Sequence, residues 1–143
     1  MHRCIPRLAP LAALLLIVSG CSGSGDNLDA GTTPAPTTTT KIETFTGVLT
    51  RNGAASFPFT VTGVGTVSAQ LTSLTPDATL PVGLMLGTWN GSICQMVLPN
   101  DAAIQGSVVI GQSVTAGNFC TRIYDAAGTV VQPETYVIDV THQ

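Results

Sequence analysis

The chain has 143 residues, of which 44 % are hydrophobic and only 9 % charged, with a formal net charge of −3. Five lysines and arginines in all make no basic patch that could meet phosphates, so nucleic acid is not an expected partner. The eight acids are too scattered to form an acidic block,.

In chain order, Arg3 and Arg7 charge the first segment, and Leu8 to Val18 follows as an apolar stretch of the length that export machinery accepts,. It is too short to span a bilayer, which takes about 20 apolar residues. Leu14-Leu15-Leu16-Ile17-Val18-Ser19-Gly20-Cys21 closes it with two small residues and a cysteine, and this run resembles a bacterial lipobox. The resemblance implies a signal peptide over residues 1–20, cleavage between Gly20 and Cys21, and a diacylglyceryl group on the Cys21 sulfur. The protein would then meet a membrane through that lipid, its chains each burying methylenes at about 0.8 kcal/mol apiece. Ser22 stands where an Asp would favour the inner membrane in such lipoproteins, so the outer membrane of a bacterial envelope is the expected location.

After Cys21 the composition shifts to Ser, Gly, Asn, Asp, Thr and Pro, with the run Thr32-Thr33-Pro34-Ala35-Pro36-Thr37-Thr38-Thr39-Thr40. No apolar period exists there to bury, and residues 21–41 are expected to form a disordered tether. At about 5–6 Å times the square root of its length, such a tether holds a domain on the order of 25 Å from the lipid.

From residue 42 to 143 the pattern is that of strands. Thr44 to Thr50 reads as the first, followed by the hairpin turn Asn52-Gly53, whose residues tolerate positive φ. The second sets Phe57, Phe59 and Val61 on one face, with Pro58 suited to a sheet edge. Val67, Ala69 and Leu71 alternate in the third, and Thr75-Pro76-Asp77 turns the chain. Leu80 to Trp89 is apolar almost throughout and closes at Asn90-Gly91. Cys94, Met96 and Leu98 alternate again before Pro99-Asn100-Asp101 breaks the pattern. Gly106 to Ile110, Asn118 to Tyr124 and Glu134 to Thr141 complete the set, the last with Tyr136, Ile138 and Val140 on one side. About eight short strands at this spacing point to an all-β sandwich or barrel.

Gly47, Phe57-Pro58-Phe59-Thr60-Val61, Gly65-Thr66-Val67-Ser68-Ala69-Gln70-Leu71, Ala116-Gly117-Asn118-Phe119-Cys120 and Tyr136-Val137-Ile138-Asp139-Val140 together resemble the bacterial pre-peptidase C-terminal domain. That resemblance implies a single jelly-roll-like antiparallel β-sandwich acting as a noncatalytic module of exported proteins. The chain departs from the family's usual arrangement in having no peptidase before the module and no Asp-rich strand at Leu80 to Trp89.

Cys94 and Cys120 remain in a domain bound for an oxidising compartment and are expected to form a disulfide. In the chain-entropy model a loop of that length contributes about 3.5 kcal/mol. A redox or metal pair is the weaker reading, because no nearby histidine supports it. Serine-protease chemistry needs an oriented imidazole, and His142, next to the last residue, is expected to be an exposed tail. A zinc site needs three or four converging ligands, and no catalytic or metal residues are assigned; no cofactor is expected. Asp77, Asp101, Asp125, Glu134 and Asp139 sit mostly at turn positions, where Asp bonds its own backbone. Asn100-Asp101 and Asp125 are the only candidates for calcium. Trp89 and Tyr124 are the candidate ligand contacts, flat aromatic faces suited to a sugar or a protein. The expected function is thus a noncatalytic, lipid-anchored envelope module that binds protein or polysaccharide; the alternatives are a structural lipoprotein without ligand, and an enzyme or calcium-binding accessory module.

Overall fold

The computed structural model describes residues 39–143. The expected leader, the expected lipidation of Cys21 and most of the expected tether lie outside the described residues.

Eight strands follow in sequence: β1 (Lys41–Leu49), β2 (Ala54–Val61), β3 (Gly65–Thr75), β4 (Val82–Trp89), β5 (Cys94–Ala103), β6 (Val108–Ser113), β7 (Gly117–Tyr124) and β8 (Glu134–His142). They build two four-stranded antiparallel sheets, ordered β1-β8-β3-β6 and β2-β7-β4-β5. That interleaving of two Greek keys is the jelly roll, the architecture expected of the sequence. Residues of period two face inward from both sheets: Val67, Ala69 and Leu71 from β3, Tyr136, Ile138 and Val140 from β8, Phe59 and Val61 from β2, and Leu84 and Leu86 from β4, all buried in one core. Each large aliphatic side chain buried in this way stabilises the fold by about 1.5–3 kcal/mol.

Several boundaries depart from the sequence reading. β1 starts at Lys41 rather than Thr44, because its register with β8 runs on to the pair Lys41 and His142. Gly106 has a φ of 90° and belongs to the turn before β6. β5 runs through Pro99-Asn100-Asp101 to Ala103. It is the outermost strand of its sheet, so the proline's missing N–H costs no ladder bond on the open side. Met96 and Leu98, grouped with Cys94 by alternation, are exposed at 57 % and 38 % while Cys94 is buried, because the register of β5 with β4 shifts between Leu86 and Gly87 and breaks the alternation. Pro58 does lie on an edge strand, β2.

His142 is the largest departure. It is buried, its Nε2 lies 3.0 Å from Glu43 Oε1, and its ring stacks on Phe59 at 5.1 Å between centroids. β8 carries the histidine between the two sheets because its alternation from Glu134 to His142 never breaks. Glu43 in turn has its carboxyl held below the usual range, chiefly by the Lys41 ammonium bonded to it and secondarily by His142, against the opposing effect of burial.

The jelly roll sorts its loops between two ends. Loops 62–64, 90–93 and 114–116 lie at the end where the chain enters β1 at Lys41; loops 50–53, 76–81, 104–107 and 125–133 lie at the opposite end.

Candidate functional site

On β4 the outward positions are Gly83, Met85, Gly87 and Trp89, and two straps cross them from β7 to the edge strand β5. The Cys94–Cys120 disulfide, formed as expected, is the first. It passes over Gly87, where a Cβ would run into the Gln95 carbonyl and lie 3.3 Å from Cys94 Sγ. The second is Tyr124, whose ring lies over Gly83 so closely that a Cβ there would overlap it, and whose hydroxyl donates to the Asp101 carboxylate. Arg122 sits 5.8 Å above the same ring. Burial first, and the Asp101 bond second, push the Tyr124 phenol up to about 12. Between the straps Met85 is buried, forming with Cys94 and Cys120 a small cluster against which Trp89 and Tyr124 pack. The sheet thus has a second apolar patch on its outer face, and glycine at Gly83 and Gly87 makes the floor flat enough for it.

Tyr124 is therefore a strap, occupied by Asp101, and not a free ligand face. Trp89 is half-buried and borders an open recess of about 530 Å³ with Pro58, Phe59, Thr60, Asn90, Gly91 and Asn118. Thr60 donates to Asn118 Oδ1 at 3.2 Å. Every group around the recess is uncharged: an indole face, a proline ring, a hydroxyl and two amides. Such a surface can stack on an apolar face and exchange hydrogen bonds at its rim, and it carries no charged group to pair with an ion. Thr60 and Asn118 were not singled out from the sequence. Their signal was their place at outward positions of β2 and β7, visible only once the register Thr60 to Asn118 is known.

A narrower apolar slot, about 70 Å³, opens at the β5–β6 edge among Val67, Leu86, Val97, Leu98, Gly111 and Phe119. Thr88 and Gln112 are its polar lining residues, and no charged group faces it.

The carboxylates are spent on the fold. Asp125 accepts backbone N–H bonds from Asn52 (2.9 Å), Thr129 (3.0 Å) and Val130 (3.4 Å). Burial alone would raise its carboxyl, yet these donors together with Gly128 hold it below the ordinary value. Asp77 caps its own turn through Thr79, whose hydroxyl and then backbone N–H lower its carboxyl. Glu134 is not at an exposed turn; it is buried and accepts from the Asp77 N–H at 3.0 Å. Asp139 accepts from Thr44 across the outer face of the other sheet at 2.6 Å. Among the described residues no group of three or more His, Cys, Asp or Glu is placed to hold a metal ion. Asn100 likewise turns its Oδ1 to the Ala102 N–H at 3.2 Å.

No protein-family model and no curated protein matches this chain.

Proposed function

We propose that the chain is a noncatalytic, lipid-anchored module of the bacterial cell envelope that binds an uncharged polysaccharide or protein surface through the recess at Trp89. The observation that supports the binding surface is the recess itself: a half-buried tryptophan, backed by the disulfide, with Thr60, Asn118 and Asn90 as neutral rim groups. Indole faces contribute large contact area at little loss of side-chain freedom, and neutral amides and hydroxyls favour sugar hydroxyls over phosphates or carboxylates. Anchoring rests on the lipobox-like run ending at Cys21, and the noncatalytic reading on the engagement of the carboxylates by backbone donors.

Two measurements test this reading. Cys21→Ala is expected to move the protein from the membrane to the soluble fraction; unchanged detergent partitioning contradicts the anchor. Titration of neutral polysaccharides against the intrinsic emission of Trp89, the chain's single tryptophan, is expected to shift that emission for at least one glycan. Binding that survives Trp89→Ala unchanged contradicts the site.

A further inference from the structure

Each of the three loops at the chain-entry end carries one aliphatic side chain in the open: Val64 at 66 %, Ile93 at 60 % and Val114 at 81 %. Single exposed aliphatics are ordinary on a protein surface. Here three stand on neighbouring loops of one end, and their loops, Thr62-Gly63-Val64, Asn90-Gly91-Ser92-Ile93 and Val114-Thr115-Ala116, contain no charged residue. Each loop is also fastened. Thr62 donates its N–H to the Gln143 carbonyl at 2.8 Å, Asn90 Oδ1 accepts from the Ser92 and Ile93 N–H groups at 3.0 and 2.9 Å, and Ser113 donates its hydroxyl to the Thr115 carbonyl at 2.5 Å. The hydrogen bonds satisfy the polar backbone locally and leave the aliphatic tips pointing out.

The same end receives the chain. Lys41 begins β1 there, and only residues 22–40 separate it from Cys21. Its ammonium is engaged by Glu43 at 2.6 Å. We propose that the three tips rest on the bilayer that holds the anchor, in contact with zwitterionic phospholipid, an inference that depends on the Cys21 anchor of the proposed function. A short tether makes the bilayer an intramolecular partner at high effective concentration, so a patch too small to recruit a free protein is enough to orient a tethered one. Contact of this kind follows buried apolar area; without cations in the loops it gains nothing from anionic headgroups. The strands then stand on end, and the recess, whose Pro58, Thr60, Asn118 and Trp89 face outward from the side of the sheet, stays open at the level of the headgroups, where membrane-attached glycans begin.

The test uses the lipidated full chain in phosphatidylcholine vesicles that contain a lipid brominated near the top of its acyl chains. Trp89 emission is expected to shift to the blue and to be strongly quenched, while a tryptophan at the opposite end, in the Trp89→Phe/Val131→Trp variant, is not. Salt is expected to leave the quenching unchanged. The triple variant Val64→Ser/Ile93→Ser/Val114→Ser is expected to float with the vesicles and to keep its Cys94–Cys120 disulfide, but to lose the quenching. Vesicle flotation with equal quenching at both ends overturns the docking and leaves the anchor standing. Quenching that salt abolishes also overturns it, by assigning the contact to charge. Failure to float, with no lipid mass on Cys21, removes the anchor and the docking with it.

Discussion

The two ends of the sandwich solve the same loop problem with different chemistry. At the end opposite the chain entry, Asp125 gathers backbone donors from two loops, Arg51 donates to the Gly128 carbonyl at 3.1 Å, Gln105 accepts from the Leu74 N–H at 2.9 Å and Glu134 accepts from Asp77. Side chains with charge or amides serve there as internal ties, and the exposed aliphatics Ile104 and Val131 stand among them. At the entry end the loops are tied by short local bonds, and what they present outward is Val64, Ile93, Val114 and the recess beside Trp89. Polar residues turned inward toward backbone suit a structural cap; apolar residues turned outward, in loops that carry no charge, suit the contact surface proposed above. Charged residues singled out as candidates by type alone therefore fall mostly at the end that is least available for binding.

That contrast can be broken or sharpened by substitution. The largest expected effect is on the covalent strap near the entry end: Cys94→Ala with Cys120→Ala is expected to lower stability by about 3.5 kcal/mol, read as a drop in the denaturant midpoint. A much smaller loss would mean that the edge strand β5 is held without it.

Asp125→Ala comes next, with an expected loss of about 2–3 kcal/mol, because several part-buried backbone N–H groups lose their acceptor. The same carboxyl gives a pH signature. Its folded value lies below the ordinary one, so its contribution is present above the unfolded carboxylate range and is lost as pH falls through the lowered folded value. Acid unfolding curves of the wild type should therefore be steeper than those of Asp125→Asn; superimposable curves would remove Asp125 from the cap.

Tyr124→Phe is expected to cost about 1 kcal/mol through the lost bond to Asp101. Because the phenol is raised in the folded state to about 12 from 10.0, the wild type keeps this contribution below pH 10 and loses it as the pH rises towards 12, while the variant shows no such alkaline loss. Smallest in stability, and the sharpest contrast with Asp125, are Val64→Ser, Ile93→Ser and Val114→Ser. Each is expected to change the unfolding free energy by no more than about 0.5 kcal/mol, with its effect appearing only in membrane contact. A large destabilisation from any of them would place that loop in the fold rather than at an interface.

The strands were legible because alternation is a local property: Tyr136, Ile138 and Val140 in β8, or Val67, Ala69 and Leu71 in β3, declare their inner face within a few residues. The pairing of Cys94 with Cys120 was legible from redox compartment and the count of two. The turn at Asn52, whose φ is 56°, was legible as a turn but misread as a hairpin, because β1 and β2 belong to different sheets and the chain crosses between them there. β5 was misread after Leu98 because an edge strand tolerates proline and exposes both faces, so neither the breaker rule nor the burial rule applies to it. His142 was misread because nearness to a terminus says nothing about what stands opposite, and here Glu43 and Phe59 do. The recess and the loop tips were hidden more deeply. Thr60 meets Asn118 only through the β2–β7 register, Gly83 and Gly87 acquire meaning only from the straps above them, and Val64, Ile93 and Val114 become one surface only when the topology brings three distant loops to the end where Lys41 begins the domain.

Hydrogen exchange on the lipidated protein, compared between vesicles and detergent, tests the division between the two ends most directly. Added protection in vesicles is expected at residues 62–64, 90–93 and 114–116, with 50–53, 76–81, 104–107 and 125–133 unchanged. Protection gained at the Asp125 end, or spread evenly over both, would contradict it.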